Sequence, residues 1–288
     1  MKVKKAVIPA AGWGTRFLPA NKAIPKEILP IVDKPIIQYV VEEIISAGIK
    51  EIVIVLTPQK QAIRDHFGTV SALEKYLESV NKPDLVKMVR DLANLADFTF
   101  INQSGPYGNG TPVLDAKKYI GNNAFAVLWG DEFIYAEPSR LKQMVPYFEK
   151  YHDPVISAVR IPKENLNRYG IAKLAPVEKN LFEILEIVEK PKPEEAPSDM
   201  ATHGAYILTP DIFDALESLT PGKGGEIWLV DGINKLRNNH KIYACEIING
   251  KYYDCGNKLE YLKTVVEFAL KREDLAPEFK KYLKSLSL

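Results

Sequence analysis

Short apolar runs alternate with helical patterns through the first half of the chain. The runs are rich in β-branched residues and have the length of buried strands, and the segments between them repeat apolar residues at helical spacing. Gly48 and Gly121 stand where helix C-caps are expected. This alternation predicts βαβ crossovers and a mainly parallel sheet with helices on both faces. The predicted strands are 6–8, 51–56, 97–102 and 124–129, and the predicted helices are 36–49, parts of 59–95, and 112–121.

The second half changes to strand-like runs separated by short turns, which predict antiparallel strands and hairpins added to the core sheet. Two late helices are predicted at about 226–237 and 258–271, and a Lys-rich amphipathic segment follows near 275–287. The sequence shows no repeat and no clear linker, so we expect one domain over 3–271 and a helical tail at 272–288. The strand-like runs are 154–161, 170–174, 181–190 and 203–208.

Composition narrows the class of protein. The chain has 288 residues, of which 46% are hydrophobic, enough for a sizeable core. Its 38 Lys and Arg nearly balance 37 Asp and Glu, which argues against a nucleic-acid or anionic-membrane partner. Cys245 and Cys255 lack metal-site spacing, and no apolar run approaches the roughly 20 residues that cross a bilayer. We expect a cytoplasmic protein without a signal peptide.

The loop after the first strand, PAAGWGTRFLPANKAIPK, is rigid and cationic. Gly12 and Gly14 lack a Cβ, so the backbone there can approach a phosphate closely. The loop follows the carboxyl end of a strand, where open α/β sheets bind ligands. Phe17 stands where a dinucleotide fingerprint needs its third glycine, and the Gly-Lys-Ser/Thr of a Walker loop is missing. The loop therefore predicts an anionic ligand, with a plain turn carrying surface lysines as the alternative.

The longer stretch PAAGWGTRFLPANKAIPKEILPIVDKPIIQYVVEE resembles the signature of bacterial-type UTP–glucose-1-phosphate uridylyltransferases. These belong to the sugar-phosphate nucleotidyltransferase family, whose shared mark is G-x-G-T-R followed about ten residues later by P-K. Further matching stretches follow in the family's order, so the resemblance spans nearly 3–271. They are QSGPYGNGTPVL, WGDEF, RYGIAKL, VEKPKPEEAPS, GGEIWLVDGI and YYDCGNKLEYLKTVVEFA.

The resemblance implies an α/β fold of the Rossmann-like nucleotidyltransferase type, with a mixed, mainly parallel sheet flanked by helices and added antiparallel strands. It also implies a reaction, in which UTP and glucose 1-phosphate give UDP-glucose and pyrophosphate by Mg²⁺-assisted, in-line nucleotidyl transfer. Two rival functions stay open: a glucose-1-phosphate thymidylyltransferase, and a catalytically weak, regulatory paralogue that binds nucleotide sugar. Loss of Arg16, Lys26, Asp131 or Asp254 would mark the second rival, and all four are present.

By this resemblance, the opening loop holds the triphosphate. Arg16 and Lys26 are the implied catalytic cations, with the planar fork of Arg16 nearer the leaving pyrophosphate. The alternative for either cation is a surface ion pair with Glu27 or Asp33. The other nucleotide-binding residues implied for this loop are Ala10, Ala11, Gly12, Gly14, Thr15 and Glu27.

The resemblance assigns base recognition to the loop QSGPYGNG. Gln103 offers a donor and an acceptor that match a pyrimidine edge, and Gly108 would let the loop pass close to the base. Uracil and thymine share that edge, so a preference for UTP would come from the space near C5 and from the ribose 2′-hydroxyl. Tyr107 or Trp129 could fill the C5 space, with packing in the core as the alternative for both rings. The family's usual GHAV is GTPV here, at 110–113, so the roles of its histidine and alanine do not carry over.

Two aspartates are the implied metal ligands. Asp131 follows a buried run and Asp254 precedes a glycine-containing turn into a helix. Two carboxylates together with phosphate oxygens make a natural Mg²⁺ site, whereas a helix N-cap is the alternative for either aspartate alone. We expect Glu132 to support the site from behind. Trp129 and Gly130 replace the family's usual Leu-Pro before the first aspartate.

The sugar phosphate is placed by the resemblance against VEKPK and two glycines. Lys190 would bind the phosphate, and a charged strand end is the alternative for it. Ala205 stands where the family often has arginine, and Trp228 and Val230 replace its usual Gln and Thr, so sugar selectivity is not implied. The implied sugar-phosphate residues are Gly170, Glu189, Lys190, Gly204 and Glu226.

The tail carries apolar residues on one helical stripe. Family resemblance favours a homodimer or homotetramer, and docking of the tail on its own domain is the alternative. The stripe consists of Leu275, Phe279, Tyr282, Leu283 and Leu286.

Overall fold

Strands and helices alternate up to about residue 150, and strands then predominate. A computed structural model describes residues 1–286, so residues 287–288 of the predicted tail lie outside the described residues. The strands are β1 Lys5–Pro9, β2 Pro30–Ile31, β3 Lys34–Pro35, β4 Glu51–Leu56, β5 Asp97–Asn102, β6 Phe125–Leu128, β7 Glu132–Ala136, β8 Val155–Arg160, β9 Gly170–Glu178, β10 Leu181–Glu189, β11 Met200–Leu208, β12 Tyr243–Glu246 and β13 Gly250–Asp254.

The helices include the long α1 and α10, which pack near the ends of the strands that carry the site. They are α1 Ile36–Ser46, α2 Gln61–Phe67, α3 Ser71–Ser79, α4 Pro83–Ala93, α5 Thr111–Asp115, α6 Lys117–Ile120, α7 Arg140–Tyr151, α8 Ile212–Glu217, α9 Leu229–Leu236, α10 Lys258–Lys271 and α11 Ala276–Ser285. Short 3-10 turns are Thr15–Phe17, Ala20–Lys22, Lys26–Ile28, Lys163–Arg168 and Lys223–Gly225.

A mixed sheet of nine strands forms the body of the protein, in the order β5-β4-β1-β6-β11-β8-β12-β10-β9. β5, β4, β1 and β6 run parallel, because helical crossovers return the chain to the same edge after each strand. β11 then pairs antiparallel with β6, and β9 and β10 form an antiparallel hairpin. The predicted Rossmann-like α/β fold, with antiparallel strands added to a parallel core, is confirmed.

The parallel strands β1, β4 and β6 are buried on both faces, as their continuous apolar runs predict. Side chains alternate along each strand, so Ile8 and Ile54 belong to the core layer that contains α1. Val7 and Val55 belong to the opposite layer, which contains residues of α5 and α8. The four side chains are each fully or almost fully excluded from solvent. The central strands are therefore rigid supports for the loops that follow them.

Several parts of the chain differ from the sequence prediction. The helical stretch 59–95 is divided into α2, α3 and α4. β7, β12 and β13 were not predicted, because they are short and find their partners far along the chain. β7 and β13 pair with each other as a separate antiparallel ribbon, in which Asp254 lies opposite Glu132. Among residues 1–286, no helix is both long and apolar enough to cross a membrane.

Candidate active site

A cavity of about 300 Å³ opens at the carboxyl ends of β1, β5 and β6. The loops that follow parallel strands meet at one edge of the sheet, which is where such sheets bind ligands. These loops bring together residues that are far apart in the sequence. Of the predicted site residues, the cavity is lined by Ala10, Ala11, Gly12, Lys26, Glu27, Gln103, Gly108, Asp131 and Glu226.

The two glycines of the opening loop have different structural requirements. Gly14 has φ +64°, and its carbonyl accepts a hydrogen bond of 2.8 Å from the side chain of Asn21. A Cβ at Gly14 would collide with that amide, so the fold itself requires glycine there. A Cβ at Gly12 would meet nothing within 4 Å in the part of the chain that the structure describes. The space beside Gly12 opens into the cavity and is available for the close approach of a ligand.

Arg16 lies on the exposed turn Thr15–Phe17, close enough to the cavity for its charge to lower the pKa of both Lys26 and Asp254. Both carboxylates that could hold it in a surface ion pair are engaged elsewhere. Glu27 binds Lys60, and Asp33 binds Arg272 at 2.7 Å. The Arg16 guanidinium is therefore available to a ligand.

Lys26 reaches into the cavity and contacts Asp131, with Nζ 2.5 Å from Oδ2. Burial works to lower the pKa of Lys26, but the charges of Asp131 and then Glu27 outweigh it and leave the pKa raised. The ammonium group is thus held in its charged form beside one of the two aspartates. A phosphate entering the cavity would find this cation already positioned.

Lys60 is a cation of the site that the sequence motifs did not reveal. It is buried just before α2, and its Nζ donates to both oxygens of Glu27 at 2.7 and 2.8 Å. Burial raises the pKa of Glu27 and lowers the pKa of Lys60. The charge of each partner acts in the opposite direction on the other group, but burial has the larger effect on both. Its position in the sequence could have indicated this role, because Lys60 follows β4, the strand beside β1, at the edge of the sheet where ligands bind.

Glu27 was predicted to bind nucleotide, but its carboxylate is 1% exposed and committed to Lys60. It follows Lys26 on the same turn and lines the cavity. We infer that Glu27 positions the lysine turn Lys26–Ile28 rather than offering its own oxygens to a ligand.

Lys60→Met is expected to lower the free energy of unfolding by about 3–5 kcal/mol, because it leaves a buried carboxylate without its partner. Urea unfolding of the purified variant measures this loss. Lys87→Met is the matched control, since Lys87 forms an ion pair with Asp91 in which the side chains are 75% and 60% exposed. That change is expected to cost about 0–1 kcal/mol. Equal losses in the two variants would contradict a structural role for the Lys60 pair.

The β7–β13 ribbon brings the two predicted metal ligands together. Asp131 directly precedes β7 and Asp254 ends β13, so the ladder of this ribbon sets their spacing. A Cβ added to Gly256 would lie 2.8 Å from Asp131 Oδ2 and 3.2 Å from Asp254 Oδ1, so both carboxylates face the same point. Neither aspartate is a helix N-cap. Asp131 precedes a strand, and Asn257 caps α10 by accepting hydrogen bonds from the first turn.

This pair of carboxylates fits a divalent cation. Burial, and then the neighbouring charge of Asp131, raise the pKa of Asp254, so a cation between the two would relieve an electrostatic cost. Within residues 1–286, no cluster of three or more His, Cys, Asp or Glu side chains is arranged as a metal site. A two-carboxylate site is the type that Mg²⁺ shares with substrate phosphates and water.

Glu132 supports the ribbon from below. Its Oε2 accepts a hydrogen bond of 2.5 Å from the hydroxyl of Tyr252 on the opposite strand, and burial raises its pKa to about 7. A Cβ at Gly204 would collide with the other oxygen of Glu132. Gly204 was predicted to line the sugar site, and in the structure it also gives Glu132 the room to sit beneath the two aspartates.

The base loop is joined to the segment that precedes α9. Ile227 N–H donates to the carbonyl of Tyr107 and Gly110 N–H donates to the carbonyl of Ile227, each at 2.9 Å. A Cβ at Gly108, where φ is +126°, would collide with the backbone of Ile227. The neighbouring chain therefore requires glycine at this position. Glu226, predicted with the sugar-phosphate residues, consequently lies in the same cavity as Gln103.

The other predicted sugar-phosphate residues lie at the ends of β9 and β10. A Cβ at Gly170 would lie 3.2 Å from Oε2 of Glu189, and Lys190 N–H donates to the carbonyl of Tyr169 at 3.0 Å. The side chains of Glu189 and Lys190 are 68% and 62% exposed, with 3.6 Å between their charged atoms. These residues form a second group. Tyr169, to which Lys190 is hydrogen-bonded, lines a cavity of 660 Å³ together with Asp254, so this group lies near the Asp254 end of the ribbon.

Comparison with known proteins agrees with the fold and with this arrangement of loops. Residues 5–270 match the Nucleotidyl transferase family, so the chain belongs to that family and is a nucleotidyltransferase. It is 43% identical, over all of its length and 99% of the relative's, to the UTP–glucose-1-phosphate uridylyltransferase of Staphylococcus epidermidis. A UTP-bound UGPase from Acinetobacter baumannii superposes with a TM-score of 0.89 at 34% identity, covering 99% of this chain and 100% of that one. A UDP-glucose pyrophosphorylase complexed with UDP-glucose superposes with a TM-score of 0.82 at 38% identity, covering 94% of this chain and 100% of that one.

Proposed function

We propose that this enzyme transfers the uridylyl group of UTP to glucose 1-phosphate and releases pyrophosphate, with UDP-glucose as the second product. Relatives with this activity match the whole chain at 43% identity. The structural observation that carries the proposal is the meeting of Lys26, Gln103 and Asp131 in one cavity. The cavity thus combines a cation able to bind phosphate, an amide able to pair with a pyrimidine and a carboxylate able to bind a metal ion.

The reaction needs little covalent chemistry from the protein. The sugar phosphate is already anionic, so it can attack the α-phosphorus of UTP directly, while pyrophosphate leaves from the opposite side. Catalysis then depends on positioning and on stabilising the charge that builds up. Lys26 is positioned to contact the triphosphate inside the cavity, and Arg16, close to it, to stabilise the departing pyrophosphate. Lys190 and Glu189 are proposed to hold the phosphate and hydroxyl groups of the sugar.

Mg²⁺ is the proposed metal, held by Asp131 and Asp254. When bound, it would act as a Lewis acid and would hold the phosphates of the two substrates together. The ribbon fixes one carboxylate on each of its strands, and Lys26 keeps Asp131 in place before substrate arrives. Asp131 lines the nucleotide cavity and Asp254 lines the neighbouring one, so the pair lies where two substrates would meet.

A pyrophosphate-release screen tests the proposal. Purified protein is incubated with Mg²⁺ and glucose 1-phosphate, and UTP, dTTP, ATP and GTP are compared. Turnover is expected with UTP, with weaker use of dTTP. A clear preference for dTTP would support the thymidylyltransferase alternative. Absence of turnover with all four nucleotides, together with retained binding of UDP-glucose, would support the regulatory alternative.

Gln103→Ala is expected to lower kcat/KM for UTP and dTTP by similar factors, because the two bases share the edge that this amide can pair with. Trp129 and Tyr107 both line the cavity, and Trp129 packs edge-on against Tyr206, with 5.9 Å between the ring centroids. Crowding of the thymine methyl group by such rings gives only about 10- to 200-fold selectivity, so residual dTTP use is expected in the wild type. Unchanged kcat/KM for both nucleotides in the variant would show that another group reads the base.

We also propose that the enzyme is a homo-oligomer, dimeric or tetrameric, and that it acts in the cytoplasm. α11 packs beside α10, yet Tyr282 and Leu286 of its apolar stripe remain 58% and 38% exposed. Both cysteines are free and buried, which suits a reducing compartment. Light scattering is expected to show a mass at least twice that of the chain. A monomer at high protein concentration would contradict the assembly.

A further inference from the structure

Two aromatic side chains meet across the mouth of the nucleotide cavity. Trp13 belongs to the opening loop after β1, and Tyr107 belongs to the base loop after β5. The indole N–H of Trp13 donates a hydrogen bond to the hydroxyl oxygen of Tyr107. The side chains remain 55% and 56% exposed, so burial does not explain their contact. We call this contact the aromatic bridge.

Hydrogen bonds hold the base loop near its start and along its Ile227 side. At its start, the backbone N–H and hydroxyl of Ser104 donate to the carboxylate of Asp115 at 2.8 and 2.7 Å. At its end, the side chain of Asn109 accepts from Leu229 N–H at 2.7 Å, next to the backbone hydrogen bonds of Ile227. Gly108 is packed against that same backbone. The loop therefore cannot move away from the cavity on the Ile227 side, and the exposed side toward Trp13 is its adjustable wall.

We propose that the aromatic bridge sets the width of the base pocket and thereby favours pyrimidine over purine nucleotides. This inference rests on the proposed function, because it assigns the selectivity of the same nucleotide site. The cavity of about 300 Å³ is at the small end of the range for ligand pockets. Gln103 reads an edge of the base but does not limit its size. A two-ring purine needs a wider gap between the opening loop and the base loop, and the hydrogen bond of the bridge opposes that widening.

Two single variants and their combination test the bridge. Trp13→Phe removes the donor and Tyr107→Phe removes the acceptor, and both keep an aromatic ring. The ratio of kcat/KM for UTP to that for ATP is expected to fall by about two- to tenfold in each single variant, the effect of one net hydrogen bond. Because both changes remove the same bond, the double variant is expected to show no further fall. Tyr76→Phe, on α3 and 61% exposed, is the matched control with an unchanged ratio.

An unchanged ratio in the single variants, or losses that multiply in the double variant, would overturn the proposal. Equilibrium dialysis of UTP and ATP, without sugar phosphate, gives a second readout that does not depend on turnover. The ratio of the two dissociation constants is expected to change as the kinetic ratio does. If the wild type makes no UDP-glucose but this binding ratio still responds to Tyr107→Phe, the proposed function fails and the bridge stands. If turnover is normal and the binding ratio is unaffected, the bridge alone is wrong.

Discussion

Asp131→Asn is expected to lower kcat by roughly a thousandfold or more. The substitution keeps the shape of the side chain but removes the charge that faces Asp254 above Gly256, and it breaks the 2.5 Å ion pair with Lys26. A metal at such a site stabilises transition-state charge by several kcal/mol, and each 1.36 kcal/mol corresponds to a factor of ten in rate. Steady-state pyrophosphate release at saturating UTP, glucose 1-phosphate and Mg²⁺ measures the effect.

Two controls separate loss of the metal site from loss of structure. Asp33→Asn removes an exposed carboxylate paired with Arg272, remote from the cavity, and is expected to keep wild-type kcat. Excess EDTA is expected to abolish activity of the wild type, and added Mg²⁺ to restore it. Undiminished turnover in excess chelator would contradict the two-aspartate metal site, whatever the behaviour of the variant.

Arg16→Ala is expected to lower kcat by at least roughly a hundredfold while changing the KM for UTP far less. A preorganised donor that stabilises charge arising only in the transition state has an effect of this order when it is removed. Arg16 is placed for that role, because it is exposed and lies close enough to the site for its charge to lower the pKa of both Lys26 and Asp254. Its binding energy would be expressed as charge builds on the departing pyrophosphate, which is why kcat changes more than KM.

Arg16→Lys and Arg272→Ala complete this experiment. Lysine keeps the charge but not the two-pronged geometry of the guanidinium, so Arg16→Lys is expected to fall between wild type and Arg16→Ala. Arg272 binds Asp33 and Asp274 on the surface, and its loss is expected to leave kcat unchanged. A near wild-type kcat for Arg16→Ala would assign Arg16 to the surface rather than to the reaction.

The parallel half of the fold could be predicted from sequence because its signal is local. The predicted strand at 51–56 coincides with β4, since a strand buried on both faces is a continuous apolar run between polar boundaries, and the predicted strand at 97–102 coincides with the edge strand β5. β13, Gly250–Asp254, carries no such signal. It is short, partly polar and defined by pairing with β7, more than a hundred residues earlier in the chain. Pairing at that distance has no local pattern.

In the candidate site, too, some features have a local sequence signal and others depend on contacts that are distant in the sequence. Motif residues such as Lys26 and Gln103 converge because each follows a strand of one parallel sheet, which topology alone predicts. The buried partner of Glu27 was not predicted, because Lys60 belongs to no motif and its role depends on burial. Sequence order also could not show that the backbone of Ile227 is hydrogen-bonded to the base loop, which brings Glu226 into the same cavity as Gln103.

Under the proposed two-aspartate mechanism, the β7–β13 ribbon also determines when a growing chain becomes active. Synthesis up to residue 249 produces the opening loop, the base loop and Asp131, but not the strand that ends in Asp254. A nascent chain of that length has the elements that surround UTP and lacks the second carboxylate. On this proposal, catalysis begins only after Asp254 has been translated. A chain cut short by premature termination before β13 is left without the means to consume UTP.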